Sequence, residues 1–204
     1  MVVAGRQPLS RRRVLEEAVR FTDREGLEAL TMRRLGSELG VEAMSLYNHI
    51  PNKSALLDGL VEVLLGELEV PPETHDWEER IKEGYRAFRR LAHEHPNVFP
   101  LLVNRPPDTM DGAWLVEELL QTLRRAGFER ECALHAFRAL SSYAFGYAMA
   151  EIRGSTLEPN GARSLSPAEF PNLCELAPYL EEVDHDREFE FGLELIIAGL
   201  RDRS

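Results

Sequence analysis

Around Leu46 the chain crowds side chains that hydrogen-bond: Ser45, Tyr47, Asn48 and His49 lie within five residues, and Lys53 follows shortly after. Two hydroxyls, a carboxamide and an imidazole on one short helix are not core chemistry. They offer donors and acceptors to phosphate oxygens and base edges. The residues before them indicate how such a helix is held. Thr31 can cap a first helix, because its hydroxyl can accept an orphan backbone N–H. Leu35 and Leu39, four apart, give that helix one apolar stripe. Gly40 stops it, since a helix end favours a residue that tolerates positive φ, and Val41 can plug the corner. A second helix from about Glu42 to His49 turns Leu46 inward and its polar neighbours outward. Pro51 ends it, and Asn52 can cap the next helix. The spacing predicts a helix-turn-helix over about 31–50, whose second helix lies in the major groove of DNA. Read from these residues alone, a helical hairpin with a polar exposed face is the other reading.

The elements that must carry this unit are helical throughout. Met1 to Leu9 forms an arm without pattern, bearing Arg6. Ser10 can cap a first helix with Val14, Leu15, Ala18, Val19 and Thr22 on one face and Gly26 at its end. A long helix from Lys53 to about Glu69 places Leu56, Leu57, Leu60, Val61, Leu64 and Leu68 at helical spacing, and Pro71-Pro72 closes it. Asp76 with Glu79 starts the next helix, with Ile81, Tyr85 and Phe88 on its apolar face. His95-Pro96 and Arg105-Pro106-Pro107 break the chain on either side of an apolar turn, Val98 to Val103. Helices are expected over Asp111 to Ala126, Glu131 to Ile152 and about Asp186 to Arg201. Gly154 to Ser166 reads as a mobile loop, and Ser166-Pro167-x-Glu169 as a helix start. No strand-like alternation persists, so the fold class expected is all-α, with an arm at 1–9, a reading head at 10–70 and a second helical domain at 71–204.

Segment LTMRRLGSELGV, the pair Leu46-Tyr47, the pair Asn52-Lys53 and the following ALLDGL resemble the tetracycline-repressor (TetR) family of bacterial transcription regulators. The resemblance spans roughly sixty residues from near Ser10. It implies a DNA-binding regulator, a repressor released from a palindromic operator by a small apolar inducer. A regulator that binds DNA constitutively or answers a protein partner is the alternative, and an all-α enzyme a distant one. The family's groove-facing positions fall on Glu42, Ala43, Met44, Ser45, Tyr47, Asn48 and His49, beside the cap Thr31. Arg33 can reach a base edge or phosphate, since its fork matches the guanine O6/N7 pair. Tyr47, His49 and Lys53 look like phosphate clamps, and Ser45 and Asn48 can bond base edges. Ala43 cannot make the bidentate adenine contact of a glutamine, so the operator should differ from the tetracycline operator.

The last helix carries a second clue. Phe189, Leu193, Ile196, Ile197 and Leu200 make one apolar face, while Phe191 and Leu195 add another. A helix apolar on two sides is buried twice, either in a monomer core or against a partner subunit. FEFGLELIIAGL is similar to the family's C-terminal helix, which implies a four-helix homodimer interface with the long helix before the loop. The interface residues expected are Leu140, Phe189, Phe191, Leu193, Leu195, Ile196 and Leu200. For an inducer, the resemblance points to an aromatic-lined cavity with Phe88, Leu101, Trp114, Phe137, Tyr143 and Tyr147 as candidates, each also a residue type that ordinary core packing uses. Trp77 reads as core. Where tetracycline-responsive members place a metal-binding His and Glu, this chain has Leu101 and Ala150. Two aliphatic side chains offer Mg²⁺ nothing, and Glu151, one residue on, is turned by about 100° on a helix. No metal or other cofactor is expected, and His93, His95 and His135 lack a ligand spacing, His93 and His95 pointing to different sides of a helix.

Composition limits the remaining classes. The formal net charge is −11 over 204 residues. Residues 1–60 hold nine Arg and Lys against eight Asp and Glu, a net +1 that leaves −12 on the rest. Phosphate affinity needs local cations and not a basic whole, so DNA would be held at the N-terminal end. Cys132 and Cys174 sit among apolar neighbours and read as small hydrophobes. No apolar run reaches membrane-spanning length and no signal-peptide core is visible, so a cytoplasmic protein is expected. A G-x-S-x-G elbow, a phosphate-binding Gly loop and a metal-ligand cluster are all absent from the sequence, and the Glu78-Glu79 and Glu181-Glu182 runs read as solvated helix faces.

Overall fold

A computed structural model describes residues 8–73, 76–105, 110–154, 165–180 and 183–201. The N-terminal arm as far as residue 7, most of the expected loop (155–164) and Glu181-Glu182 lie outside the described residues. Every described element is a helix or a turn, and the fold is all-α.

Helix α1 (Arg11–Glu25) begins where Ser10 Oγ accepts the Arg13 N–H, and it buries Val14, Leu15, Ala18, Val19, Phe21 and Thr22. Gly26, at φ 84°, ends it and leads into a 3₁₀ turn (Leu27–Ala29) that periodicity did not reveal. Next come α2 (Met32–Leu39), α3 (Ala43–Tyr47) and α4 (Lys53–Gly66). Helix α3 is shorter than the expected 42–49 span, because Asn48 and His49 pass into a closing turn. Likewise α4 stops at Gly66 and not near Glu69. Gly66 is a poor helix residue, and Pro71-Pro72 demands extended chain before it.

Further on lie α5 (Trp77–Glu94), α6 (Leu101–Asn104), α7 (Met110–Arg125) and α8 (Arg130–Arg153). They are followed by α9 (Pro171–Leu176), a 3₁₀ turn (Ala177–Leu180) and α10 (His185–Arg201). Asp76 Oδ1 accepts the N–H groups of Glu78 and Glu79, so the expected start of α5 holds. The expected start at Ser166 does not. Ser166 O accepts from Glu169 N and Phe170 N in a single turn, and regular helix begins only at Pro171. A proline at the first helical position serves there as it would have at 167.

The chain divides into two compact units, Met1–Val70 with Arg90–Glu118, and Pro71–Arg89 with Leu119–Ser204. The division expected along the chain falls at 70/71; by contact, residues 90–118 group with the first unit. In that unit α1 packs on α2 and α4, and α6 packs on α4. The core of the second unit gathers Ile81 and Tyr85 from α5, Leu123 from α7, Leu140 and Ala144 from α8, and Phe189, Leu193, Ile197 and Leu200 from α10. Trp77 closes it edge-on against Phe128, ring centroids 5.1 Å apart.

Candidate nucleic-acid interface

The turn between α2 and α3 is fixed by backbone geometry. Thr31 Oγ1 accepts the Arg34 N–H at the start of α2. At its end Gly40 adopts φ 66°, ψ 35°, and its N–H reaches the Ser37 carbonyl while that of Val41 reaches Gly36 O at 2.9 Å. This left-handed closure suits glycine. Met32, Leu35, Gly36 and Leu39 face inward from α2, and Leu46 and Ile50 pin the second helix and its following turn to the same core. Asn52 Oδ1 then caps α4 on Ala55 N at 2.9 Å.

With Leu46 holding one side of α3, its other sides reach solvent. Glu42, Met44, Tyr47 and Asn48 are exposed, Met44 at 71%, while Ala43, Ser45 and His49 are half-buried. Thr31, Arg33 and Lys53 are exposed beside them. Among the described residues Arg33 and Lys53 form no ion pair, in contrast to most cations of α1 and α2. Arg11 binds Glu62, Arg12 binds Glu16, Arg20 binds Glu17, Arg24 binds Glu25 and Glu38, and Arg34 binds Glu25. The Arg11 guanidinium, bonded through two nitrogens, holds the Glu62 carboxyl below its ordinary range. Arg34 also covers the Phe21 ring at 5.0 Å. The cations at either end of the helix-turn-helix thus remain available to an anionic partner while those behind it are tied down.

The second unit places the remaining candidates. Phe88 packs partly buried against the core and Phe137 is half-buried; Leu101 is buried and Trp114 is 58% exposed, both within the first unit. Tyr143 and Tyr147 form the seam between α8 and α10. Tyr143 stacks on Phe189 at 5.6 Å and donates to Phe189 O at 3.0 Å, across Gly192, whose missing Cβ leaves room for the phenol. The Tyr147 hydroxyl lies 3.1 Å from a Glu188 oxygen and 3.2 Å from His185 Nδ1, and burial with that carboxylate pushes its pKa up. Their hydroxyls are thereby committed to the fold. Of the residues expected at a partner interface, Leu140, Phe189, Leu193 and Leu200 fill the chain's own core and Ile196 packs against it, because α10 needs that stripe to seat on α8. Phe191 and Leu195 point outward, 66% and 59% exposed.

Glu151, one residue beyond Ala150 of the expected metal position, forms a two-point pair with Arg89 at 2.7 Å, its side chain 3% exposed. Its charge is already matched, and Leu101 and Ala150 carry no donor, so the residues present do not fit a Mg²⁺ site. Sequence reasoning passed over Arg89, whose guanidinium also bonds Asp186 and covers Phe189 at 5.1 Å, because its partners lie 62 and 97 residues away.

Comparison with known proteins places this architecture. The family model described as "Bacterial regulatory proteins, tetR family" matches residues 14–60, and that described as "Tetracyclin repressor-like, C-terminal domain" matches residues 70–204. The HTH-type transcriptional repressor DrrR1 of Streptomyces coeruleorubidus is 30% identical over 208 residues, covering 92% of this chain and 76% of its own. The class E tetracycline repressor protein of Escherichia coli is 30% identical over 189 residues, covering 91% and 88%. The crystal structure of ActR from Streptomyces coelicolor in complex with (S)-DNPA is 36% identical, with a TM-score of 0.85 over 97% of this chain and 100% of that one. Its complex with actinorhodin gives 0.82 over 95% of each. This chain therefore belongs to the TetR family of DNA-binding bacterial transcription regulators.

Proposed function

We propose that the protein is a homodimeric, cytoplasmic repressor that holds a near-palindromic operator through α3 and releases it when an apolar small molecule binds its C-terminal domain. The observation that carries the DNA reading is the polar, exposed side of α3 between Arg33 and Lys53, two exposed cations without an ion pair among the described residues. Arg33, Ser45 and Asn48 supply choice of bases; Tyr47, His49 and Lys53 hold phosphates and fix the register. Met44 and Ala43 bring apolar contact, which suits thymine methyl groups better than adenine.

The dimer rests on a helix with two apolar sides. One side of α10 fills the core; the other presents Phe191 and Leu195 to solvent. Beside it α8 exposes the small residues Ala139, Ser142 and Gly146, and nothing lies within 4 Å of a Cβ built on Gly146. Small residues allow close helix approach, and two large exposed apolar side chains favour burial against a second copy. Small-molecule binding is supported by the complexes of ActR with (S)-DNPA and actinorhodin, and an apolar ligand by the half-buried rings of Phe88 and Phe137. Metal-dependent tetracycline binding is disfavoured, since Leu101 and Ala150 offer no ligand and Glu151 belongs to Arg89.

Selection from random DNA tests the reading directly. The purified protein should enrich dyad-symmetric sites whose half-site centres lie about one helical turn, roughly 34–36 Å, or a multiple apart. Sites without dyad symmetry, or a monomer by light scattering at micromolar concentration, would exclude it. Apolar aromatic ligands should then weaken operator binding roughly 5- to 150-fold, equally with and without EDTA.

A further inference from the structure

At the corner between α5 and α6 one imidazole bridges carboxylates from two other helices. His95 Nδ1 lies 2.6 Å from Asp23 Oδ2 in the last turn of α1, and Nε2 lies 2.8 Å from Glu67 Oε2 at the C-cap of α4. Asn97 Nδ2 adds a bond to the Asp23 carbonyl at 2.9 Å. A neutral imidazole has one N–H, so in either tautomer one nitrogen would turn its lone pair onto a carboxylate; only the imidazolium donates from both. The carboxylates make the same point from their side. Asp23 Oδ1 is buried without a hydrogen-bond partner, as is the adjacent Thr22 Oγ1. The Asp23 charge is therefore matched through His95, and removing the proton would leave one N–H for two carboxylates, so that one arm of the bridge, Asp23 or Glu67, would face a lone pair. The expectation that His95 is one of two divergent histidines on a helix is corrected here: α5 ends at Glu94, and His95 lies in the turn just beyond it.

These three segments frame the reading helix. Helix α1 packs on α2 and on α4, and α4 starts directly after α3 through the Asn52 cap. We propose that His95 is a positioning residue for operator recognition, its imidazolium clasping α1 to the C-terminal end of α4 and so fixing the stance of α3. The inference rests on α3 being the DNA-reading helix. The charged groups facing the ring are Asp23 from α1 and Glu67 from α4; Asn97, on its own segment, is neutral. The hydrogen bond to Asp23 is the largest influence, burial opposes it and Glu67 reinforces it, and together they raise the ring pKa to about 9. Because the folded value lies above the ordinary one near 6.5, the clasp is fully present below about pH 6.5 and is lost as pH rises through about 9.

The test measures affinity for the operator selected by the wild-type protein, between pH 7 and 9.5 at fixed salt, with helical circular dichroism and melting followed in parallel. Wild-type affinity should fall on the alkaline side. His95→Gln should bind about tenfold more weakly at pH 7, keep its helical signal and lose the alkaline decline. His95→Arg, which retains a charge and can fork between both carboxylates, should recover affinity with a flat pH profile. Unchanged operator affinity in His95→Gln, even with a lower melting temperature, would overturn the proposal and leave the clasp as a structural contact alone. Should that variant not fold, Glu67→Gln, which removes only the more exposed arm, should give a partial loss; no loss overturns the proposal equally. A wild-type protein that selects no dyad site fails at the α3 assignment, a different result from selecting one that His95 does not affect.

Discussion

A Cβ added to Gly36 would sit 3.0 Å from Val41 O and 3.2 Å from Ala43 N, both backbone atoms of the turn that aims α3. Gly36→Val should displace that turn and destabilise the head by about 1–3 kcal/mol. Its operator affinity should drop by more than its helix content, as binding and circular dichroism of the same preparation would show. Lys53 poses a different question. Lys53→Ala should weaken binding similarly on all sequences and lower the slope of log affinity against log salt by about one, since one phosphate contact and its counterion are lost. A changed base preference with an intact slope would reassign Lys53 to reading. The caps Thr31 and Asn52 were legible in the sequence because each acts on an N–H three residues ahead. Asp23 and Glu67 were not legible as partners of His95, lying 72 and 28 residues away, a distance no local pattern spans.

Helix α10 was legible as a helix and as doubly apolar, yet the division of its two faces was not. Periodicity groups Phe189, Leu193, Ile197 and Leu200 together, but only packing decides that α8 takes that stripe and leaves Phe191 and Leu195 outside. Leu193→Ala, at a site with no exposed surface, should cost about 2–5 kcal/mol and lower the melting temperature. Phe191→Glu should leave the protomer folded and shift light-scattering mass toward the monomer, with operator affinity lost in proportion. A folded Phe191→Glu dimer of undiminished affinity would exclude this face as the interface. Ser166 shows the opposite error: cap, proline and acid were all in place, but the local signal produced one turn, and Pro171 took the role of Pro167 four residues later.

For the whole molecule, helix content followed from spacing and the identity of the reading head from spacing with the family resemblance, while the contacts that group residues 90–118 with the first unit did not show in the sequence. Val98 and Phe99 are fully buried, and Arg105 bonds to Ser54 and Asp58 of α4, so that stretch belongs to the head by contact and not by order along the chain. A truncation at residue 70, where the sequence suggested a boundary, should therefore expose apolar surface and unfold at lower temperature than a protein retaining the 90–118 segment. Melting of the two forms checks this.

Pairing of Arg11, Arg12, Arg20, Arg24 and Arg34 with nearby glutamates also bears on how the protein would find its site. Cations already neutralised release few counterions on touching a duplex, and a chain of net charge −11 is repelled by it elsewhere. Residence on non-operator DNA should accordingly be brief, and long one-dimensional sliding rare. The search then proceeds mainly through repeated three-dimensional encounters, and the contrast between operator and bulk genome comes less from tight binding to the operator than from weak binding to everything else.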